Sequence, residues 1–270
     1  MPFADSSGVQ LYYEEAGSGP AVLFVHEMAS DLRQWRGQTG PLSARFRCIA
    51  FNARGYPPSD VPHEDEAYRW ERFAADIGAV LDHLALTDAV LVGWSMGAYA
   101  ALQFTRLNPG RVRGLVAVGV GSGSPAAERA GFQAQMRELA LAWRSDPEQA
   151  AALIAETPGR QPLRRRDPDA FAAWLADLER HSPEGMALTS ANYQGLRPSL
   201  EDIEVELARL ALPVLLMVGD EDPPCLAATG SLAEVIPGAE LAVLPGGGHM
   251  PMLEDPAGFN RRLEAFLDRL

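Results

Sequence analysis

Six short apolar runs constrain this chain more than any other feature. They are AVLFVH (21–26), RCIAFN (47–52), AVLVGW (89–94), GLVAVGV (114–120), VLLMVGD (214–220) and AELAVLP (239–245). None alternates as a strand with one wet face would. They read as strands buried on both faces, which calls for a parallel sheet covered by helices. VQLYYEEAG (9–17) does alternate and reads as an antiparallel edge strand or hairpin. Helical patterns fall between the runs: DEAYRWERFAADIGAVLDHLAL (65–86), MGAYAALQFTRLNP (96–109), halted by Pro109-Gly110, and the closing DPAGFNRRLEAFLDRL, with Pro256 near its start. This alternation of strand and helix gives an α/β fold, a mostly parallel doubly wound sheet with right-handed crossovers.

The alternation stops between about 122 and 212, where four helical patterns (MRELALAWRS, EQAAALIAE, DAFAAWLADLER and EDIEVELARL) are separated by prolines with no strand-like run. We therefore expect a core of residues 1–121 and 213–270 interrupted by a helical cap, 122–212. A chain of 270 residues with 47% hydrophobic content can bury a core of that size. The basic run RQPLRRRD (160–167) is expected to be a solvated loop between cap helices.

Charge and composition exclude several classes of function. A net charge of −13 argues against nucleic acid or an anionic membrane as partner. No apolar run reaches the roughly 18–20 residues that a membrane span needs. The start, MPFADSSGVQ, lacks a basic n-region and an apolar h-region, so a cytoplasmic protein is expected. The two cysteines, Cys48 and Cys225, form neither a disulfide framework nor a metal spacing.

The chemistry is read at the end of the third run. Gly93-Trp94-Ser95-Met96-Gly97 follows a buried strand and opens a helix, the context of a nucleophile elbow. In such a turn the serine sits in a strained conformation, with glycines where a Cβ would strike the neighbouring strand and helix. Serine is a poor nucleophile at neutral pH, so it needs a base, and the base needs an orienting acid. Of five histidines, only His249 follows a strand at the right end of the chain, in GGGHMPMLEDP. For the acid, Asp220, Glu221 and Asp222 compete after the preceding strand, and Asp222, three residues past Gly219, has the favoured position. The loop after the strand that follows the nucleophile helix, GVGSGSP (119–125), holds no carboxylate, which strengthens Asp222. Two backbone N–H groups should complete an oxyanion hole: that of Met96 and one from the loop His26-Glu27-Met28-Ala29-Ser30.

Taken in order, LFVHEMASDLRQW, FNARGYPPSD, VGWSMGAYAAL, PVLLMVGDED and LPGGGHMPMLEDP resemble the α/β-hydrolase superfamily, of the serine esterase and lactonase kind. Within it the chain is most similar to the 3-oxoadipate enol-lactone hydrolase and cofactor-free haloperoxidase/esterase branches. The resemblance implies Ser95 as nucleophile, Asp222 as acid, His249 as base, and Met28 as the second oxyanion donor. It also implies structural roles for His26 and Arg54. Epoxide hydrolases and haloalkane dehalogenases of this fold carry an aspartate at the elbow, so Ser95 implies acyl chemistry instead. Three positions depart from the family pattern: Glu27 where glycine is usual, Asn52 for aspartate, and Pro57 for a later glycine. Glu27 would either favour a cationic or hydroxylated substrate or point to solvent, and solvent is the preferred expectation.

The expected activity is hydrolysis of a small-molecule carboxylic ester or lactone through an acyl-enzyme, without metal or organic cofactor. C–C bond hydrolysis or peracid formation on the same triad is an alternative, and so is a ligand-binding receptor without turnover. Glu27, Met28, Trp94, Trp143, Trp174 and Tyr193 are candidates to line an apolar pocket, with core packing an equal reading for the cap tryptophans. A homo-oligomer stays open.

Overall fold

A computed structural model describes residues 2–270. Its eight strands are β1 (Phe3–Ser6), β2 (Val9–Ala16), β3 (Ala21–Val25), β4 (Arg47–Phe51), β5 (Ala89–Trp94), β6 (Val112–Val118), β7 (Val214–Gly219) and β8 (Glu240–Leu244). They form one sheet in the order β1-β2-β4-β3-β5-β6-β7-β8. The first two pairings, β1 with β2 and β2 with β4, are antiparallel, and all the others are parallel. Every residue of β3, β5 and β7 is buried, as expected for strands with helices on both faces.

Of the two readings of the alternating run the hairpin holds: β1 precedes it, and Phe3 packs edge-on against Tyr12 across the turn. One strand expectation is corrected. The last strand, β8, is not buried on both faces: it is the sheet edge, and Leu241 and Val243 are each 43% exposed.

Six helices flank the sheet outside the long insertion: α1 (Arg36–Leu42), α2 (Trp70–His83), α3 (Met96–Leu107) and, after the insertion, α10 (Pro223–Val235), α11 (Pro251–Glu254) and α12 (Pro256–Leu267). The pattern at 65–86 divides into a 3₁₀ turn, Asp65–Tyr68, and α2, because the residues between adopt extended backbone at Arg69. Phe73, Ile77, Val80 and Leu81 put one stripe of α2 into the core. Helix α3 is different: Met96 to Thr105 are all buried, so it has no wet face for most of its length.

The insertion carries α4 (Ala126–Ser145), α5 (Pro147–Ala155), α6 (Gln161–Arg166), α7 (Pro168–Leu178), α8 (Pro183–Leu188) and α9 (Glu204–Leu207). No strand interrupts them. Several begin at the sequence's own signals: Asp146, Asp167 and Ser182 each accept a hydrogen bond from the first-turn N–H three residues on, and a proline follows each. One turn of π-helix, Thr189–Gln194, follows α8.

The basic run also departs from expectation. Residues 161–166 are helical, and Arg160 is 4% exposed rather than solvated. Arg164 and Arg165 do face solvent, paired with Glu156 and Glu221. No helix among the described residues is long and apolar enough to cross a membrane.

Candidate active site

The parallel register brings the C-terminal ends of the strands level, so the loops after them meet at one edge of the sheet: Val25 is opposite both Phe51 and Gly93, Trp94 opposite Val118, and Gly219 opposite Leu244. Ser95 stands there, between β5 and α3, with φ 51° and ψ −109°. Left-handed backbone is costly for a residue with a Cβ, and here two close approaches enforce it. A Cβ on Gly93 would lie 2.5 Å from Gly97 O, and one on Gly97 would lie 2.2 Å from Val25 O. The Ser95 N–H is anchored to Val118 O at 2.8 Å.

Asp222 and His249 come from the loops after β7 and β8. Asp222 Oδ2 lies 2.6 Å from His249 Nδ1. The imidazole is fixed further through its backbone: His249 N–H donates to Gly159 O at 2.7 Å, and Trp94 Nε1–H donates to His249 O at 2.6 Å. Burial disfavours the imidazolium, but the Asp222 charge and hydrogen bond, with help from Cys225 and Glu27, hold the His249 pKa well above the ordinary histidine value. Burial likewise opposes ionisation of Asp222, and His249 outweighs it, leaving that carboxyl below its usual range.

The loop after β3 is built on two buried side chains. His26 Nδ1–H donates to Glu27 O at 2.6 Å, and Nε2 accepts from Ala53 N–H at 2.9 Å. That pattern needs neutral imidazole, and burial pushes the His26 pKa down to about 4. Asn52, in place of the family's aspartate, accepts from Leu32 N–H and donates to Pro57 O, tying the loops after β3 and β4 together. Arg54 forms a buried pair with Asp76 of α2 at 2.5 Å. Met28 and Met96 present backbone N–H groups that make no hydrogen bond within the described chain.

A cavity of about 620 Å³ opens above these groups. Ser95, Asp222, His249, Met28 and Glu27 border it, and α4 and α5 supply an apolar wall from Phe132, Met136, Leu139, Leu153 and Ile154. Trp94, Trp143 and Tyr193 do not border it, which corrects the pocket expectation for Trp94 and Tyr193 and leaves Trp143 with its core-packing reading. Their rings are buried elsewhere: Trp94 under His249, Tyr193 with its hydroxyl donating to Met96 O at 2.9 Å, and Trp143 within the cap. Trp174 also packs inward, its Nε1–H donating to Ala29 O at 2.9 Å. The wall residues on α4 recur at 132, 136 and 139, a helical stripe legible in the sequence but not assigned to a pocket there.

Glu27 does not point to solvent. It is 2% exposed and pairs with Arg160 Nη2 at 2.5 Å, while its Oε2 also lies 3.5 Å from His249 Nε2. Burial would raise its pKa, but the Arg160 charge and the His249 contact bring it down to about 2. Cys225, three residues past Asp222, places Sγ 3.9 Å from His249 Nδ1. Asp222, Cys225 and His249 thus converge, their atoms within 4.8 Å of one another, with Nδ1 already engaged by the Asp222 carboxylate.

Comparison with known proteins agrees with this architecture. The chain is 28% identical over 265 residues to 3-oxoadipate enol-lactonase 2 of Acinetobacter baylyi, covering 97% of this chain and 94% of that protein. It is 27% identical to epoxide hydrolase 3 of Mus musculus, covering 100% of this chain and 77% of that one. Among solved structures, an N-acyl homoserine lactone degrading enzyme is similar with a TM-score of 0.84 and 29% identity, over 98% of this chain and all 100% of that one. A family model described as the alpha/beta hydrolase fold matches residues 20–256, and the chain belongs to that family.

Proposed function

We propose that the protein hydrolyses a carboxylic ester or lactone through an acyl-enzyme on Ser95. The observation that carries this reading is the strained Ser95 elbow in the same cavity as the hydrogen-bonded Asp222–His249 pair. Ser95 Oγ attacks the carbonyl carbon and His249 Nε2 takes its proton. The tetrahedral oxyanion is bound by the N–H groups of Met28 and Met96. Collapse expels the alkoxide, which leaves with the proton from His249. For a lactone the alkoxide stays tethered to the acyl group. Water then attacks the ester carbonyl with His249 again as base, and Ser95 is regenerated. Asp222 keeps the imidazole in the required tautomer and stabilises its cation.

Serine at the elbow supports acyl transfer over epoxide opening, since the resemblance places aspartate there in epoxide hydrolases. The lactonase relatives support ester or lactone bonds, and the apolar cap wall supports a substrate with a hydrocarbon chain. The test is intact mass after exposure to a fluorophosphonate, followed by a panel of esters and lactones. The expected result is one adduct on the wild type, none on Ser95→Ala or His249→Ala, and turnover of at least one ester. A folded wild type that takes no label and hydrolyses nothing would overturn the proposal.

A further inference from the structure

The cap does more than wall the cavity, because it also holds the loop after β3. Arg160 pairs with Glu27, Trp174 donates to Ala29 O, and His181 Nε2 lies 3.0 Å from Ser30 O. The same cap turn reaches the histidine: Gly159 O accepts the His249 N–H, and a Cβ on Gly159 would lie 3.0 Å from both Asp222 Oδ1 and His249 Cβ. Arg160 itself is enclosed, its guanidinium 5.6 Å from the Trp94 ring and 4.9 Å from the Trp174 ring. One buried oxygen, Glu27 Oε1, and one buried nitrogen, Arg160 Nη1, have no hydrogen-bond partner. A carboxylate so placed is tolerable only while it is paired.

His249 thus sits between two carboxylates, Asp222 at Nδ1 and Glu27 at Nε2, and Nε2 is the atom that must receive the Ser95 proton. We propose that Arg160 is a positioning residue: it neutralises Glu27 and pins that carboxylate beside Nε2, so that the basicity of His249 depends on the cap being seated. The inference rests on the triad reading above. The charged and titratable groups facing the imidazole are Asp222 and Cys225 from the segment after β7, and Glu27 from the loop after β3. Behind these lie Arg160 from the cap and Glu254, which accepts from the N–H groups of Gly248 and Met250. Among them Arg160 is the one cation. Without it, Glu27 could keep its charge only by pairing with the imidazolium at Nε2, which would stabilise that cation and leave less neutral base at a given pH.

The experiment is the pH profile of kcat/KM on an activated ester, with melting curves to establish folding. The variants are Arg160→Met, Arg160→Lys, Glu27→Gln and the double Glu27→Gln/Arg160→Met. In Arg160→Met the acidic limb should move up by about one pH unit, a typical effect of one nearby charge. Its kcat/KM should fall about tenfold below the limb and recover above it. Arg160→Lys should keep the wild-type limb. Glu27→Gln should move the limb down, and the double variant should follow Glu27→Gln. An unmoved limb in Arg160→Met, or a double variant that behaves as Arg160→Met does, overturns the proposal. If Arg160→Met fails to fold, Glu27→Gln decides: a limb that does not move down overturns it. Ser95→Ala, run in parallel, tests the triad separately, because turnover that survives in it would sink that reading whatever the limbs do.

Discussion

At the scale of single residues, the site is a set of costs that neighbours offset. Ser95 holds left-handed backbone because Gly93 and Gly97 let strand, elbow and helix close up around it. Glu27 is buried with its charge because Arg160 meets it. Asp222 is the proposed orienting acid, and its replacement gives a sharp expectation. Asp222→Asn should lower kcat by about 10³–10⁴-fold, since the amide cannot stabilise the imidazolium and favours the wrong tautomer. With one carboxylate charge gone, the acidic limb of kcat/KM should also shift down, because His249 is held high chiefly by that carboxylate against its burial. Steady-state kinetics across pH on this variant checks both. A loss below tenfold would mean that Asp222 does not orient the base. That Ser95, Asp222 and His249 would border one cavity was legible from the sequence because each follows a strand end and the resemblance fixes their order. The Glu27–Arg160 pair was not, since it joins residues 133 apart, one in an apparently solvated basic run. Nothing in local pattern says which of several arginines a fold will bury.

At the scale of elements, the buried strands were read well because continuous apolar runs have one stable use, the interior of a covered parallel sheet. Strand β8 was misread for a related reason: its run is as apolar as the others, and only its place in the sheet order makes it an edge. Helix α4 shows the same limit in the cap. Its apolar stripe divides, with Trp143 packing inside the cap while Phe132, Met136 and Leu139 face the cavity. Periodicity tells which face of a helix is apolar, not what covers it. This division predicts how the cap would set substrate length. Leu139→Trp fills the cavity from its α4 wall. For p-nitrophenyl octanoate, kcat/KM should fall about tenfold or more, while for the acetate it should stay within about twofold, since a pocket discriminates by roughly 1–3 kcal/mol per methylene. Equal losses on both esters would show that the acyl chain does not lie along α4.

At the scale of the whole molecule, the loops that form the site are joined to the core through buried polar groups, and stability should therefore carry a pH signature of its own. His26 is the clearest case. It is fully buried, it must be neutral to accept from Ala53 while donating to Glu27 O, and burial brings its pKa from 6.5 to about 4. A histidine whose pKa is depressed by folding takes up its proton first in the unfolded chain. Its contribution is therefore complete above about pH 6.5, declines as pH falls through that value, and is exhausted near pH 4. The difference corresponds to about 3 kcal/mol across that window. His249 opposes this slope only near neutrality: its pKa is raised, so its contribution grows as pH falls from 7 and levels off below about pH 6, where the unfolded chain is protonated as well. Glu27 adds its own loss only lower, between the carboxylate range near 4.5 and about 2. Calorimetric Tm should then fall from about pH 6 to 4 in the wild type. In His26→Gln, which starts less stable at pH 7 because the Ala53 and Glu27 bonds are altered, the fall over the same window should be much shallower. Parallel curves for the two proteins would mean that the loops beneath the site are not held by a neutral imidazole, and that the acid sensitivity of the fold lies elsewhere.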